Sequence, residues 1–269
     1  MMQVAGKIAL VTGAGGGIGA GIVQALHEAG ARVVLADISR EWAEEQAAAL
    51  GVDGLAVQLD VSSPESWAAA KASAEARFGP VDILCNNAGI SMPRVPLDEL
   101  DAGTFASLFD VNVTGVFNGI KAFVPEMKAR GSGHVVNTSS VNGLVPFGTF
   151  AAYSASKFAI TGLSEALRQE LDPHGVGVSI LYPGLTRSRM SLSPTLGAAG
   201  GKPVSPEIEA MMMEPIWLGR AVVRAIEAND LHIITHPGYL PGVEARHAAL
   251  TAAFGEPAQP GYVGGSTRG

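Results

Sequence analysis

Short apolar runs rich in β-branched residues recur along this chain, and stretches rich in Ala, Leu and Glu separate most of them. The seven runs are Ile8–Val11, Val33–Ala36, Leu55–Leu59, Val81–Cys85, His134–Asn137, Val176–Leu181 and Leu231–Ile234. Such alternation of strand and helix patterns predicts βαβ units and a parallel sheet. Because crossovers between parallel strands are right-handed, we expect a doubly wound α/β fold of about seven strands, with helices on both faces.

The length of the chain and the lack of an internal repeat or linker favour a single domain. The chain has 269 residues, which suits one doubly wound sheet. We predict that residues 1–254 form this domain. The Ser/Pro/Gly-containing segment at about 186–214 interrupts the alternation, and residues 255–269 are expected to be a flexible C-terminal tail.

A glycine-rich turn follows the first apolar run. The sequence Thr12-Gly-Ala-Gly-Gly-Gly-Ile-Gly19 stands between a strand and a helix that begins near Ile18. Glycines in that context let the backbone approach a pyrophosphate, and the helix N-terminus attracts its charge. A flexible turn is the alternative for an isolated glycine pattern. Since strand, turn and helix are all present, the sequence favours a dinucleotide site in a sheet of the Rossmann type.

Asp37 ends the second apolar run, about 20 positions beyond the glycines. A carboxylate there can accept a hydrogen bond from a ribose 2′-hydroxyl and repels a 2′-phosphate. The position favours NAD over NADP as the cofactor. Arg40 is close enough in sequence to leave NADP open.

Tyr153 and Lys157 lie four residues apart in a helical stretch, so both side chains share one face. The ordinary pKa of tyrosine, about 10, is too high for a base at neutral pH. A neighbouring ammonium and a positive nicotinamide ring would favour the phenolate. An ordinary i, i+4 pair on an exposed helix is the alternative. Two serines, Ser139 and Ser140, end the preceding strand at the edge where such sheets bind ligands.

Together these motifs resemble the short-chain dehydrogenase/reductase family over roughly residues 5–240. The glycine pattern TGxxxGxG is Thr12, Gly13, Gly17 and Gly19, and the NNAG motif is Asn86-Asn87-Ala88-Gly89. The resemblance implies cofactor contacts at Gly13, Gly17, Ile18, Gly19, Asp37, Asp60, Val61, Asn87, Ala88, Gly89, Tyr153, Lys157, Pro183, Gly184, Thr186 and Ser188. One departure is Ser188, where many members have threonine; the hydroxyl is retained.

The resemblance also implies the catalytic residues Asn112, Ser140, Tyr153 and Lys157. The family's serine precedes its tyrosine by thirteen positions, which selects Ser140 rather than Ser139. Its hydroxyl would stabilise a developing alkoxide, and Asn112 would hold a water that feeds protons to Lys157. The implied activity is NAD-dependent interconversion of a secondary alcohol and a ketone, with Tyr153 as general acid/base. The alternative is a cofactor-binding sensor or scaffold, which would be expected to lack the tyrosine or lysine.

The segment at 186–214 is expected to cover the substrate, as it does in this family. Its first part carries apolar residues and no Asp or Glu, which favours a neutral or weakly polar alcohol, apolar or aromatic. Arg187 and Arg189 leave an anionic substrate open, although cofactor pyrophosphate or solvent explains them equally well. The run Met211–Met213 could line a pocket or begin the next helix and face the core.

Assembly and location are further expectations. The family commonly pairs its long helices, here roughly Thr104–Arg130 and Ala151–Leu171, which implies a homotetramer, or else a homodimer. The net charge of −7 and the lack of a Lys/Arg cluster argue against nucleic acid as a partner. The single cysteine, Cys85, fits a reducing compartment, and no signal peptide or membrane-spanning run is expected, so the predicted location is cytoplasmic. The histidines show no metal-ligand spacing, so no metal is predicted.

Overall fold

The structure is a computed structural model, and it describes residues 2–188, 190 and 205–255. Contacts divide the chain into two units, Met1–His236 and Pro237–Gly269. The first unit contains the whole sheet and the residues of the candidate site. The proposed domain boundary at residue 254 stays a prediction, and residues 256–269 of the predicted tail lie outside the described part.

The first unit is built on one sheet of seven strands, and every neighbouring pair is parallel. The strand order is β3-β2-β1-β4-β5-β6-β7. The strands are β1 Ile8–Thr12, β2 Arg32–Asp37, β3 Gly54–Gln58, β4 Ile83–Asn86, β5 Gly133–Thr138, β6 Val176–Tyr182 and β7 His232–Ile234. Each overlaps one of the seven apolar runs in the sequence. The prediction of a doubly wound, parallel α/β fold is confirmed.

Helices connect the strands and flank the sheet. They are α1 Gly17–Glu28, α2 Arg40–Ala48, α3 Pro64–Phe78, α4 Ala102–Phe109, α5 Gly115–Arg130, α6 Ala151–Leu171, α7 Pro206–Ala210 and α8 Pro215–Ala228, with α9 Leu240–Ala252 in the second unit. Local sequence explains several of their ends. The side chain of Ser63 accepts a hydrogen bond from Ser66 N, and Pro64 occupies the first turn of α3, an arrangement that stabilises a helix N-terminus.

Two apolar clusters lie on the two faces of the sheet. Leu10 packs into one, with side chains from α3, α5 and α6, whereas its neighbour Val11 packs into the other, with α1 and α8. Alternate residues of a strand point to opposite faces, so a strand that is covered on both faces must be apolar throughout. This explains the continuous apolar runs. The outcome is a sheet fixed from both sides, with its carboxyl edge left free for a site.

The predicted long helix at Thr104–Arg130 differs from the structure in its middle. A π-helical turn, Asp110–Thr114, joins α4 to α5. The turn contains Asn112, whose side chain is almost fully buried. Such turns often occur at functional sites, because one extra residue per turn redirects a side chain. The other predicted long helix, Ala151–Leu171, agrees with α6.

Candidate active site

A cleft of about 420 Å³ opens at the carboxyl edge of the sheet. It lies where the strand order changes direction between β1 and β4, the place where open α/β sheets bind ligands. Of the predicted residues, the cleft is lined by Gly13, Gly17, Ile18, Gly19, Asp37, Asp60, Val61, Asn87, Ala88, Gly89, Tyr153, Lys157, Pro183 and Ser188. The fold thus brings together predicted residues that are up to 175 positions apart in the sequence, since Gly13 and Ser188 line the same cleft.

The glycine turn between β1 and α1 leaves no room for side chains. A Cβ on Gly19 would lie 2.0 Å from Gly13 O, and one on Gly13 would lie 3.0 Å from Ala88 Cα. Gly13 and Gly17 also have positive φ angles of 65° and 53°, which glycine adopts without strain. No side chain caps the first turn of α1, and the free amides of a helix N-terminus are donors for an anion. This cradle fits a pyrophosphate.

Thr12 ties the glycine turn to the NNAG motif. Its hydroxyl oxygen accepts hydrogen bonds from Asn87 N and Ala88 N, each at 2.9 Å, and Asn87 Nδ2 donates to Thr12 O at 3.0 Å. Thr138, at the end of β5, donates to Asn87 Oδ1 at 3.4 Å. The ends of β1, β4 and β5 are therefore fastened to one another. These hydrogen bonds explain the structural role of the threonine in the glycine motif and of Asn87 in the NNAG motif.

Asp37 is buried at the end of β2 and holds the glycine turn. Its carboxylate accepts hydrogen bonds from Gly15 N at 2.8 Å and from Ser39 N at 3.0 Å. Arg40 points away, because its Nε donates to Glu44 Oε1 at 2.8 Å on the exposed side of α2. Arg40, the residue that left NADP open, is therefore already paired with Glu44.

Asp60 and Val61 follow β3 and turn the chain into α3. Asp60 Oδ1 accepts from Ser62 N at 2.9 Å, and Val61 O accepts from Trp67 Nε1 at 2.9 Å. The buried indole of Trp67 thus fixes the backbone beside the cleft. Both residues line the cleft through a locally determined turn.

Helix α6 carries Tyr153 in its first turn and Lys157 one turn later. The Lys157 Nζ lies 5.6 Å from the centre of the Tyr153 ring, so the expected shared face is present. Burial raises the pKa of Tyr153 above its ordinary value, and a hydrogen bond with Ser140 acts in the opposite direction. The lowered phenol pKa predicted from the ammonium together with a positive nicotinamide ring stays a prediction for the protein with its cofactor bound.

Lys157 is a buried lysine with 4% of its surface exposed. Its Nζ donates to Thr138 O at 3.1 Å, and a Cβ on Gly89 would lie 3.5 Å from the same nitrogen. Because burial disfavours the charged form, the pKa of Lys157 falls to about 8. Among the described residues no carboxylate forms a salt bridge with it. A buried lysine without an acid is a common sign of a functional site.

The two serines after β5 have different partners. Ser139 Oγ donates to Lys157 O at 2.8 Å and thereby anchors α6 to the strand. Ser140 Oγ accepts from Asn142 N at 3.2 Å and donates to Pro183 O at 3.4 Å, and it lies close enough to Tyr153 to act on the pKa of that phenol. The geometry agrees with Ser140 as the serine that acts with the tyrosine, although Ser139 also borders the cleft.

Asn112 fixes the backbone beyond the NNAG motif. Its Oδ1 accepts from Ile90 N at 2.8 Å, and its Nδ2 donates to Ile90 O at 3.0 Å and to Ser156 Oγ at 3.2 Å. The side-chain amide is therefore used in positioning Ile90 and the first turns of α6. Its expected role in holding a water for Lys157 stays a prediction.

The segment that follows β6 runs beside the cleft, and its first residues are hydrogen-bonded to Met213, which precedes α8. Arg187 N donates to Met213 O and Met213 N donates to Leu185 O, both at 3.0 Å, around a bridge between Thr186 and Met213. Thr186 is buried and its hydroxyl donates to Gly184 O at 3.2 Å. Four of the predicted site residues are not among the residues that line the cleft: Gly184, Thr186, Asn112 and Ser140.

Arg187 forms ion pairs that stabilise the clasp, the hydrogen-bonded contact of Leu185–Arg187 with Met213. Its Nε donates to Glu214 Oε1 at 2.9 Å, and Nη1 forms a second ion pair with Glu209. In the methionine run, Met212 is 6% exposed and Met211 is 75% exposed, so the two neighbours differ in environment. Arg189, Leu192, Leu196 and Lys202, which also bear on the substrate prediction, lie outside the described residues.

Some residues that line the cleft were not among the predicted contact residues. These are Gly15, Gly16, Ile38, Trp42, Leu59, Ile90, Val111, Thr138, Ser139 and Met190. Ile38 and Leu59 could have been found, because each adjoins a predicted contact residue at a strand end. Trp42 and Val111 carry no such signal, because they do not lie at strand ends. Helix α2 brings Trp42 to the cleft, and the π-helical turn brings Val111.

Within residues 2–188, 190 and 205–255, no group of three or more His, Cys, Asp or Glu side chains is placed to hold a metal ion. No helix in that part of the chain is both long and apolar enough to cross a membrane.

Comparison with known proteins agrees with the motifs. The family model described as short chain dehydrogenase matches residues 7–195. Since this match covers well over half of the chain, the protein belongs to the short-chain dehydrogenase family.

Individual relatives define its neighbourhood within that family. The chain is 39% identical over 189 residues to a 3-alpha-(or 20-beta)-hydroxysteroid dehydrogenase of Mycobacterium tuberculosis, covering 70% of this chain and 72% of the relative. It is 40% identical over 198 residues to trans-4-hydroxycyclohexanecarboxylate dehydrogenase of Sinomonas cyclohexanicum, covering 70% and 76%. A short chain dehydrogenase/reductase from Burkholderia phymatum in complex with NAD superposes with a TM-score of 0.85 at 29% identity, covering 96% of this chain and 100% of the other.

Proposed function

We propose that this protein is an NAD-dependent oxidoreductase that interconverts a secondary alcohol and a ketone, with Tyr153 as general acid/base. The observation that carries the proposal is that Tyr153 and Lys157 line the same cleft as the glycine cradle, with Ser140 next to Tyr153. When bound, the oxidised nicotinamide supplies an acceptor for the hydride of the carbinol carbon. The remaining steps belong to the side chains of this chain.

Tyr153 moves the proton of the substrate hydroxyl. In oxidation the phenolate oxygen takes this proton as the carbon loses hydride, and in reduction the phenol returns it to the new alkoxide. In this mechanism the Ser140 hydroxyl turns from Pro183 O to the same substrate oxygen and stabilises its negative charge. Contacts from both side chains to one oxygen also orient the alcohol carbon.

Positive charge is needed to make Tyr153 a base. Burial raises the pKa of its phenol, so the phenolate requires a cation nearby. Lys157 supplies one, 5.6 Å from the ring centre, and its own pKa of about 8 keeps most of the ammonium charged at neutral pH. The positive ring of an oxidised nicotinamide adds a second. Both effects favour the phenolate.

Asp37 supports the choice of NAD. Its carboxylate is fixed by Gly15 N and Ser39 N beside the glycine turn, where it meets the adenosine ribose in this family. A 2′-phosphate there would face a buried negative charge, and Arg40 is paired with Glu44. NADP is the weaker alternative.

For the substrate we propose a neutral or weakly polar secondary alcohol, apolar or aromatic. Arg187 is engaged by Glu209 and Glu214, which removes one of the two cations considered for a substrate carboxylate. The two named relatives act on ring-bearing secondary alcohols, a hydroxysteroid and a hydroxycyclohexanecarboxylate. The second of these carries a carboxylate, so a test with an acid is needed.

A sensor or scaffold of the same fold is the alternative class. It needs the cradle but not the proton-transfer residues. This chain retains Tyr153 and Lys157 in the cleft with Ser140 next to the tyrosine; because a buried lysine lowers the stability of the fold, its presence points to a functional role. These residues favour an enzyme.

The experiment is a screen of secondary alcohols and ketones with NAD and NADP, followed by Tyr153→Phe on the best substrate. The variant removes only the titrating hydroxyl, so we expect kcat to fall by roughly 10²–10⁴-fold while NAD still binds. Tyr239→Phe is the matched control, since that tyrosine is not among the cleft residues. A Tyr153→Phe enzyme with more than about a tenth of the wild-type kcat would show that another group moves the proton.

A further inference from the structure

The imidazole of His236 lies against the turn Pro183–Leu185. His236 follows β7, and this turn follows the neighbouring strand β6. Its Nδ1 lies 3.0 Å from Gly184 N, which donates to it, and its Nε2 lies 3.2 Å from Leu185 O. One side chain therefore contacts the backbone polar groups of two consecutive residues.

These contacts define the state of the ring. A nitrogen that accepts from Gly184 N carries no hydrogen, so the neutral ring has its proton on Nε2 and donates it to Leu185 O. The Thr235 hydroxyl lies 2.8 Å from the same Nδ1. Burial lowers the pKa of His236, which favours this neutral form.

The ring is packed as closely as it is bonded. A Cβ on Gly184 would lie 2.6 Å from His236 Cγ, so glycine at this position leaves the space that the imidazole fills. From the other side, Pro183 O accepts hydrogen bonds from Val141 N at 3.0 Å and from Ser140 Oγ at 3.4 Å. The turn is thus held between His236 and the catalytic serine.

We propose that His236 is a positioning residue that fixes the Pro183–Leu185 turn for the nicotinamide half of the cofactor. The inference rests on the proposed function, because it assumes that this turn receives the nicotinamide. A turn that is already fixed loses less conformational entropy when the ligand binds, and the affinity rises accordingly. His236 does not touch the reacting atoms and acts only through the backbone of Gly184 and Leu185.

Substitutions separate positioning from a general contribution to stability. In His236→Leu both hydrogen bonds are lost, while an apolar side chain still fills much of the space. In His236→Asn the amide oxygen can replace Nδ1 as the acceptor for Gly184 N, but the contact with Leu185 O is lost. His174→Leu, which removes an exposed imidazole after α6, is the matched control.

The readout is binding of two probes, NADH and ADP-ribose, measured by titration calorimetry. ADP-ribose contains the pyrophosphate and adenosine but no nicotinamide. We expect His236→Leu to weaken NADH about tenfold, equivalent to about 1.4 kcal/mol, and to leave ADP-ribose within about twofold. His236→Asn should fall between His236→Leu and wild type for NADH, and His174→Leu should change neither affinity.

Other outcomes overturn the inference. Equal weakening of both probes by His236→Leu would indicate general destabilisation, and no weakening would indicate that the turn needs no support. If His236→Leu does not fold, His236→Asn decides, and it must weaken NADH more than ADP-ribose. If wild type binds neither probe, the proposed function fails and the inference fails with it. If wild type binds both probes and the selective effect is missing, only the inference fails.

Discussion

Replacing Lys157 by methionine removes a charge from the interior and should stabilise the protein without nucleotide. Lys157 is 4% exposed and its Nζ donates to Thr138 O. Burial lowers its pKa from 10.5 to about 8. At 1.36 kcal/mol for each pKa unit, the charged form destabilises the fold by about 3 kcal/mol. The lost hydrogen bond to Thr138 O offsets about 1 kcal/mol of the gain.

We therefore expect Lys157→Met to raise the free energy of unfolding by about 2 kcal/mol at pH 7, and the melting temperature by about 5 °C. The effect depends on pH in a defined direction. Below pH 8 both the folded and unfolded states bind the lysine proton, and wild type bears the full penalty. Between pH 8 and 10.5 the unfolded state binds more protons, so wild-type stability rises towards that of the variant.

The assay is thermal unfolding of wild type and variant at pH 7 and pH 10, without nucleotide. The control is Lys128→Met, an exposed lysine in the last turn of α5, which should change stability by less than about 0.5 kcal/mol at either pH. A Lys157→Met protein that is less stable than wild type at pH 7 would refute the reasoning. So would an advantage of the same size at both pH values, because it would not come from the charge.

Three other predictions concern the cofactor, the substrate and assembly. Asp37→Ala should relax the preference for NAD in kcat/KM and also weaken NAD binding, because Gly15 N loses its acceptor; equal kcat/KM for NAD and NADP in wild type would contradict it. A neutral alcohol should be a better substrate than its matched carboxylate, and a large advantage of the acid that disappears in Arg189→Ala would overturn this choice. Light scattering should give about four times the subunit mass of 27.6 kDa for a homotetramer, or twice that mass for a homodimer. A single subunit mass would refute both. Phe117, 51% exposed on α5, is one of the apolar side chains that helix pairing would cover.

The sheet and the cleft could be predicted because they depend on local patterns. Strands covered on both faces need unbroken apolar runs, and the glycine turn needs positions where a Cβ would meet backbone, as Gly19 does. Such requirements are written in neighbouring residues. The motif residues then follow, because parallel strands bring their carboxyl ends to one edge.

What could not be predicted depends on contacts between distant residues. The π-helical turn at Asn112 contains no glycine or proline that would indicate it in the sequence. The turn places the Asn112 side chain where it hydrogen-bonds to the backbone of Ile90. Arg187 left three interpretations open in the sequence, and its partners Glu209 and Glu214 follow only from the fold. The pKa of Tyr153 could not be predicted either, since it depends on how deeply α6 places the ring.

Because of the clasp between Leu185–Arg187 and Met213, the length of the intervening segment can change without a change in the sheet. Its two ends are joined by backbone hydrogen bonds and by the Arg187 ion pairs, so they stay together whatever the chain does between them. For a loop with fixed ends, doubling the length costs only about 0.6 kcal/mol. Segments from other enzymes could therefore be grafted between residues 190 and 205, which keeps Glu209 and its ion pair with Arg187. Exchange of one segment would then leave helix α6 and the glycine turn unchanged.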